Sequence, residues 1–134
     1  MKIFIADSQS RVRYGLHKLL EQQPGWHVTG EAASAIELIE QVCWHPPDVV
    51  LLDWDLPGMS LEMLLKSLRE ACPKLFVISL SGRDELRQSA FDAGADAFAS
   101  KAESPEKLIR LIWQLMNTES KVGIEKKNNP SLNP

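Results

Sequence analysis

The sequence is poor in several things, and each shortage excludes a class of protein. It has only two cysteines, Cys43 and Cys72, in 134 residues. They lie far apart and form no CxxC pair. Both fall within helix-like patterns, so the expectation is two buried free thiols in a reducing compartment. The three histidines, His17, His27 and His45, share no metal-ligand spacing. No basic excess exists: the net charge of −3 argues against direct nucleic-acid binding. No apolar run approaches the ~20 residues that a membrane span needs. The opening Met1-Lys2-Ile3-Phe4-Ile5-Ala6-Asp7 meets an acid too early for a secretory leader. The expected location is therefore cytoplasmic, without a membrane partner. No glycine-rich phosphate loop follows that opening; Asp7-Ser8-Gln9-Ser10 stands there instead, which argues against a nucleotide-binding domain.

What is present suits one ordinary globular domain. Apolar residues make up 44% and charged residues 25%, enough for a single core without staples. Short apolar runs alternate with helical patterns five times. Ile3–Ala6 reads as a first strand, and Val12, Leu16, Leu19 and Leu20 mark one face of a helix that Pro24-Gly25 ends. Trp26–Gly30 reads as a second strand, and Ile36, Ile39 and Cys43 mark a helix stopped by Pro46-Pro47. Val49–Leu52 has no polar alternation and should be buried on both faces, as central parallel strands are. Leu61, Leu64, Leu65 and Leu68 form a third helix face, and Leu75–Ile78 a fourth strand. Leu86, Ala90 and Ala93 give a weaker helix, and Ala97–Ala99 a short fifth strand. Ser104-Pro105-Glu106 is a helix start, with Leu108, Leu111, Ile112 and Leu115 as its buried face. Five βα units imply an α/β fold with a parallel sheet covered on both faces. From about Thr118 the periodicity stops, and the polar, proline-spaced segment 118–134 is expected to be a disordered tail or a linker.

Open α/β sheets bind ligands beyond the carboxyl ends of their strands. Asp7 and Ser8 follow the first strand, Asp53 and Asp55 the third, Ser79 and Ser81 the fourth, and Lys101 the fifth. Singly, each has a bland reading as a turn, a cap or a surface charge. Together they bring carboxylates, a hydroxyl and an ammonium group to one sheet edge. Carboxylates can hold Mg²⁺, a carboxylate can attack phosphorus, and lysine and a hydroxyl can hold the incoming dianion.

With those residues in view, the chain resembles bacterial two-component receiver domains over roughly residues 1–117. The segment Asp48-Val49-Val50-Leu51-Leu52-Asp53-Trp54-Asp55-Leu56-Pro57-Gly58-Met59 is similar to the family's phosphoacceptor stretch, and Ala93-Gly94-Ala95-Asp96-Ala97-Phe98-Ala99-Ser100-Lys101 is a second match. Ile5-Ala6-Asp7 through Arg13-Tyr14-Gly15-Leu16 is similar to receivers that precede helix-turn-helix output domains. The resemblance implies a flavodoxin-like (βα)5 three-layer sandwich, its five-stranded parallel sheet ordered 2-1-3-4-5. It implies a non-enzymatic signalling role, with Asp53 accepting a phosphoryl group from a sensor histidine kinase. It also implies that Asp7, Asp53 and Asp55 hold Mg²⁺, Asp55 through its backbone carbonyl. Ser81 and Lys101 would bind the phosphoryl group, and Ser81 and Phe98 would act as the switch pair.

Ser8 departs from the pattern, because the family has a second metal-binding acid there. The resemblance then implies weaker Mg²⁺ binding, compensated in part if the Asp55 side chain reaches the metal. The alternative is a degenerate receiver that works as an interaction module without phosphate. Asp55 and Arg83 flank the acceptor and are expected to pair and shield an acyl phosphate from water. Asp53-Trp54-Asp55 also matches the Asp-x-Asp of haloacid-dehalogenase-like phosphatases, but Pro57 stands where those carry Thr or Val, and only a short chain follows. On the last helix Ile109, Trp113 and Met116 form a second apolar line at i, i+4, i+7. This line is expected to serve a homodimer or an output domain, DNA-binding and missing from this chain.

Overall fold

The computed structural model describes the backbone of residues 1–128 and the side chains of residues 1–117. Five parallel strands form one sheet: β1 (Lys2–Ala6), β2 (His27–Ala32), β3 (Val49–Asp53), β4 (Phe76–Ser81) and β5 (Ala97–Ser100), in the order β2-β1-β3-β4-β5. Helices alternate with them: α1 (Ser10–Glu21), α2 (Ala35–Trp44), α3 (Leu61–Ala71), α4 (Arg87–Ala93) and α5 (Pro105–Asn128). This is the flavodoxin-like order expected from the sequence. β3 lies at the centre with all five residues buried, as its unbroken apolar run requires.

The chain divides into two units, Met1–Ala102 and Glu103–Pro134. In the first, side chains alternate across the sheet. Phe4, Ala6, Val50, Leu52, Val77 and Phe98 join Leu38, Val42, Leu64, Leu65, Leu68 and Ala90 of α2, α3 and α4 in one core. Each fully buried leucine contributes roughly 1.5–3 kcal/mol. Ile3, Ile5, Leu51 and Ile78 point to the opposite face and are fully buried too. Ser34 caps α2 by accepting from the Glu37 backbone N–H, and Ser60 caps α3 by accepting from that of Met63, which satisfies donors that a helix start leaves unpaired. Gly94, at φ 112°, ends α4 in the left-handed conformation that glycine adopts without strain. Arg69 ties the end of α3 to the neighbouring strands. It donates to the carbonyls of Leu75 and Gly94 and to Asp96, whose Oδ2 also accepts from the Val77 backbone N–H.

Several boundaries and faces differ from the expectation. β2 starts at His27, with Trp26 held in the preceding turn by its N–H to the Gln23 carbonyl, and it runs on to Ala32. Leu86 falls in a short 3₁₀ turn, Asp84–Leu86, ahead of α4. In α2 the buried row is Ala35, Leu38 and Val42, while Ile36 is 59% exposed. Cys43 is consequently exposed and Cys72 only partly buried, which corrects the expectation of two buried thiols. Burial, and secondarily Cys43 nearby, pushes the Cys72 thiol above its ordinary pKa.

In the second unit, α5 continues past Thr118 to Asn128. The remainder of the expected tail, residues 129–134, lies outside the described residues. Ile112 is buried and Trp113 is 58% exposed; Ile109 and Met116 are half-buried. Among the described residues no helix is long and apolar enough to cross a membrane.

Candidate functional site

The parallel register places the carboxyl ends of β1, β3, β4 and β5 side by side. Ala6 pairs with Leu52, Asp53 with Leu80, and Ser81 with Ser100. Asp7, one residue beyond β1, is fully buried, and Asp53, the last residue of β3, is 4% exposed. Lys101 follows β5, anchored by its backbone N–H to the Ser81 carbonyl at 2.8 Å. Its Nζ lies 2.8 Å from Asp7 Oδ2 and 3.1 Å from Asp53 Oδ1. Asp7, Asp53 and Lys101 thus converge as expected. Burial alone would lower the Lys101 pKa, but the hydrogen bonds to Asp7 and Asp53 and their charges outweigh it and raise it above the ordinary value.

Backbone amides hold the two carboxylates from the other side. The Gln9 N–H donates to Asp7 Oδ1 at 2.9 Å, and the Asp55 N–H to Asp53 Oδ1 at 3.2 Å. None of these bonds uses Asp53 Oδ2. Ser81 lies at the end of β4, inside the strand rather than after it, and its Oγ accepts from the Arg83 N–H at 3.0 Å. Phe98 is buried in β5, and the Arg87 guanidinium sits 4.9 Å from its ring centre.

Asp55 and Arg83 pair at 3.2 Å across adjacent loops, both well exposed. The Asp55 side chain thus faces Arg83. No three carboxylate, imidazole or thiol side chains among the described residues are placed to hold a metal. His17 and His27 share Glu21 as a neighbour, at 4.0 and 3.8 Å, without forming such a group.

The contacts of one arginine escaped the sequence. Arg13 donates to the Asp7 backbone carbonyl at 2.7 Å and to Glu31 Oε1 at 3.2 Å, fixing the loop that carries Asp7. Ser79 Oγ is buried in β4 without a hydrogen-bond partner. The spacing of Arg13 from Asp7 carried no signal, because the contact depends on β2 supplying Glu31.

The chain that carries this edge has counterparts among known proteins. The response regulator receiver domain family matches residues 3–113, and the chain belongs to that family. Such domains are signalling domains of two-component systems; they interact with histidine kinases and generally bind Mg²⁺ at the phosphorylation site. The chain is 33% identical over 118 residues to the transcriptional activator protein ExaE of Pseudomonas putida, covering 87% of this chain and 55% of that protein. It is 32% identical over 114 residues to the nitrate/nitrite response regulator protein NarL of Escherichia coli K12, covering 84% and 53%. The chain therefore spans about half the length of these curated relatives. Among solved structures it is similar to a LuxR-family two-component response regulator from Aurantimonas sp. SI85-9A1, with a TM-score of 0.80 and 27% identity over 87% of this chain and 84% of that one.

Oxygen donors at this edge are few among the described residues. Asp7 and Asp53 are suitable oxygen ligands for a hard divalent ion. However, one oxygen of each already faces the Lys101 ammonium group, the neighbouring Ser8 is neutral, and the Asp55 carboxylate faces Arg83. As placed, the side chains fit a monovalent ammonium ion and not a divalent metal.

Proposed function

We propose that this chain is a phosphoryl-accepting receiver in two-component signalling, with Asp53 as the acceptor. The observation that carries the reading is the convergence of Lys101 on Asp53 and Asp7, which leaves Asp53 Oδ2 outside the hydrogen bonds that hold the carboxylate. That oxygen attacks the phosphorus of a kinase phosphohistidine. A new P–O bond forms, the P–N bond breaks, and the histidine nitrogen keeps the electron pair. Lys101 balances the added charge, and Ser81 supplies a hydroxyl donor to a phosphoryl oxygen. Drawing Ser81 toward that group shifts the population of β4–α4 conformations, with Phe98 as the responding aromatic. Asp55 and Arg83, paired on the adjacent loops, slow attack by water on the acyl phosphate.

The partners follow from this role. A sensor histidine kinase supplies the phosphoryl group. Ile109, Trp113 and Met116 on α5 serve a homodimer or an output domain, and Trp113 is exposed there. The relatives' greater length and the transcriptional role in ExaE's name support a DNA-binding output domain in a longer protein, with no direct DNA contact by this domain. The location is cytoplasmic. The other reading, a module that switches without phosphate, gains no support: the acceptor and its lysine are in hydrogen-bonded contact.

The test is exposure to a small-molecule phosphodonor, followed by intact mass. The expected result is a gain of one phosphoryl group, removed by hydroxylamine as an acyl phosphate would be. A gain that persists in Asp53→Asn would refute the assignment.

A further inference from the structure

The Asp7–Asp53 pair poses an electrostatic problem that the chain solves in its own way. Two carboxylates, with side chains 0% and 6% exposed, share one buried edge, where like charges call for a cation between them. Lys101 Nζ reaches one oxygen of each, at 2.8 and 3.1 Å. The other Asp7 oxygen accepts from the Gln9 N–H, so each oxygen of Asp7 already has a donor. A divalent ion needs oxygen donors, and each additional carboxylate strengthens the site. Two groups could add a negative charge to this edge. Ser8, next to Asp7, is neutral and exposed, and Asp55 is paired with Arg83. With Asp7 and Asp53 against Lys101, the local charge is −1, which an ammonium group and solvent accommodate. A carboxylate at position 8 would make it −2 and favour a divalent ion.

We propose that Lys101 is the resident cation of the Asp7–Asp53 pair, taking the place of a divalent metal at rest, and that the neutral Ser8 keeps metal affinity low enough for it to do so. The proposal rests on the phosphoryl-acceptor reading of Asp53 and adds how that acceptor is held between signals. A divalent ion and Lys101 compete for the same Asp7 oxygen, so the metal enters only as the lysine leaves.

The experiment is a titration of the folded, unphosphorylated chain with Mg²⁺, and separately with Mn²⁺. Binding is read by calorimetry and by the fluorescence of Trp54, beside Asp53. Wild type, Ser8→Asp and Lys101→Met are compared, with Asp53→Asn as the blank. Ser8→Asp is expected to bind at least about tenfold more tightly than wild type, the scale of one added charge at a partly buried site. Lys101→Met is also expected to bind more tightly, because the competitor is gone. If Lys101→Met fails to fold, the Ser8→Asp comparison decides alone. Equal behaviour of Ser8→Asp and wild type, whether both bind or neither does, overturns the proposal, and so does weaker binding by a folded Lys101→Met. Intact mass after phosphodonor treatment of the same wild-type preparation separates the two readings. A phosphorylated wild type with tight metal binding defeats only the resident-cation proposal, whereas an unphosphorylated one defeats the acceptor reading.

Discussion

Lys101 and Asp7, 94 positions apart in the chain, are joined by a 2.8 Å hydrogen bond at the carboxyl edge of the sheet. That bond links β1 to β5 although neither strand touches the other, and it places a cation beside the acceptor carboxylate. Replacing Lys101 with Met leaves two buried carboxylates uncompensated. The expected cost is about 2–3 kcal/mol in urea unfolding at neutral pH, below the range for a fully buried pair, because 27% of the lysine side chain meets solvent. The pH dependence has a definite sign. The folded-state pKa of Lys101 lies above its ordinary 10.5, so the stabilisation is complete below that value and is lost as pH rises through the raised one. As pH rises from neutrality, the difference between wild type and variant should shrink only under strongly alkaline conditions; a difference already lost in mildly alkaline buffer would contradict this.

Two glycines give opposite expectations. A Cβ at Gly30 would lie 2.4 Å from Phe4 Cε2 in the adjacent strand, so Gly30→Ala should cost about 1–3 kcal/mol through displacement of the buried ring. A Cβ at Gly15, inside α1, meets nothing within 4 Å. Gly15→Ala should therefore stabilise by roughly 0.5–1 kcal/mol, the helix-propensity difference. Denaturant midpoints of the two variants, which should move in opposite directions, check both.

Ser79 should be dispensable for stability. Its hydroxyl is buried in β4 with no partner, and an unpaired polar group costs about 1–3 kcal/mol when shielded from water. Ser79→Ala is expected to raise the unfolding midpoint or leave it unchanged. A clear loss of stability would show that the hydroxyl has a bound partner, such as a buried water.

The Asp55–Arg83 pair is expected to matter for kinetics and not for stability. Its side chains are 69% and 52% exposed, and such surface pairs contribute little to folding. Arg83→Gln should leave the unfolding midpoint within experimental error while shortening the lifetime of the phosphorylated state severalfold. An unchanged lifetime would remove the shielding role.

Much of the fold was legible because β1 and β3 carry unbroken apolar runs. Val49–Leu52 has no polar alternation, which only a buried parallel strand explains, and the strand ends led to Asp7, Asp53 and Lys101. The face of α2 was misread for a physical reason. Its apolar residues come in adjacent pairs, Ala35-Ile36, Leu38-Ile39 and Val42-Cys43, so two rows have helical spacing. The choice falls to tertiary contact: the Ala35 N–H donates to the Pro57 carbonyl, and a Cβ at Gly58 would lie 3.3 Å from that of Ala35. Only a small side chain fits there, and that places Ile36 and Cys43 in solvent. The Asp55–Arg83 pairing was expected from the sequence and is present at 3.2 Å, whereas local pattern could not show that Arg13 reaches the Asp7 carbonyl, because that contact depends on β2 bringing Glu31 to Arg13.

The central claim is that Asp53 carries the phosphoryl group. The most direct measurement treats the phosphodonor-exposed chain with borohydride, which reduces an acyl phosphate to the alcohol, and maps the altered residue by peptide mass spectrometry. The account predicts conversion of Asp53 to homoserine in wild type and no conversion at Asp7 or Asp55. Conversion at another carboxylate, or none in a folded sample that has gained phosphoryl mass, would contradict it.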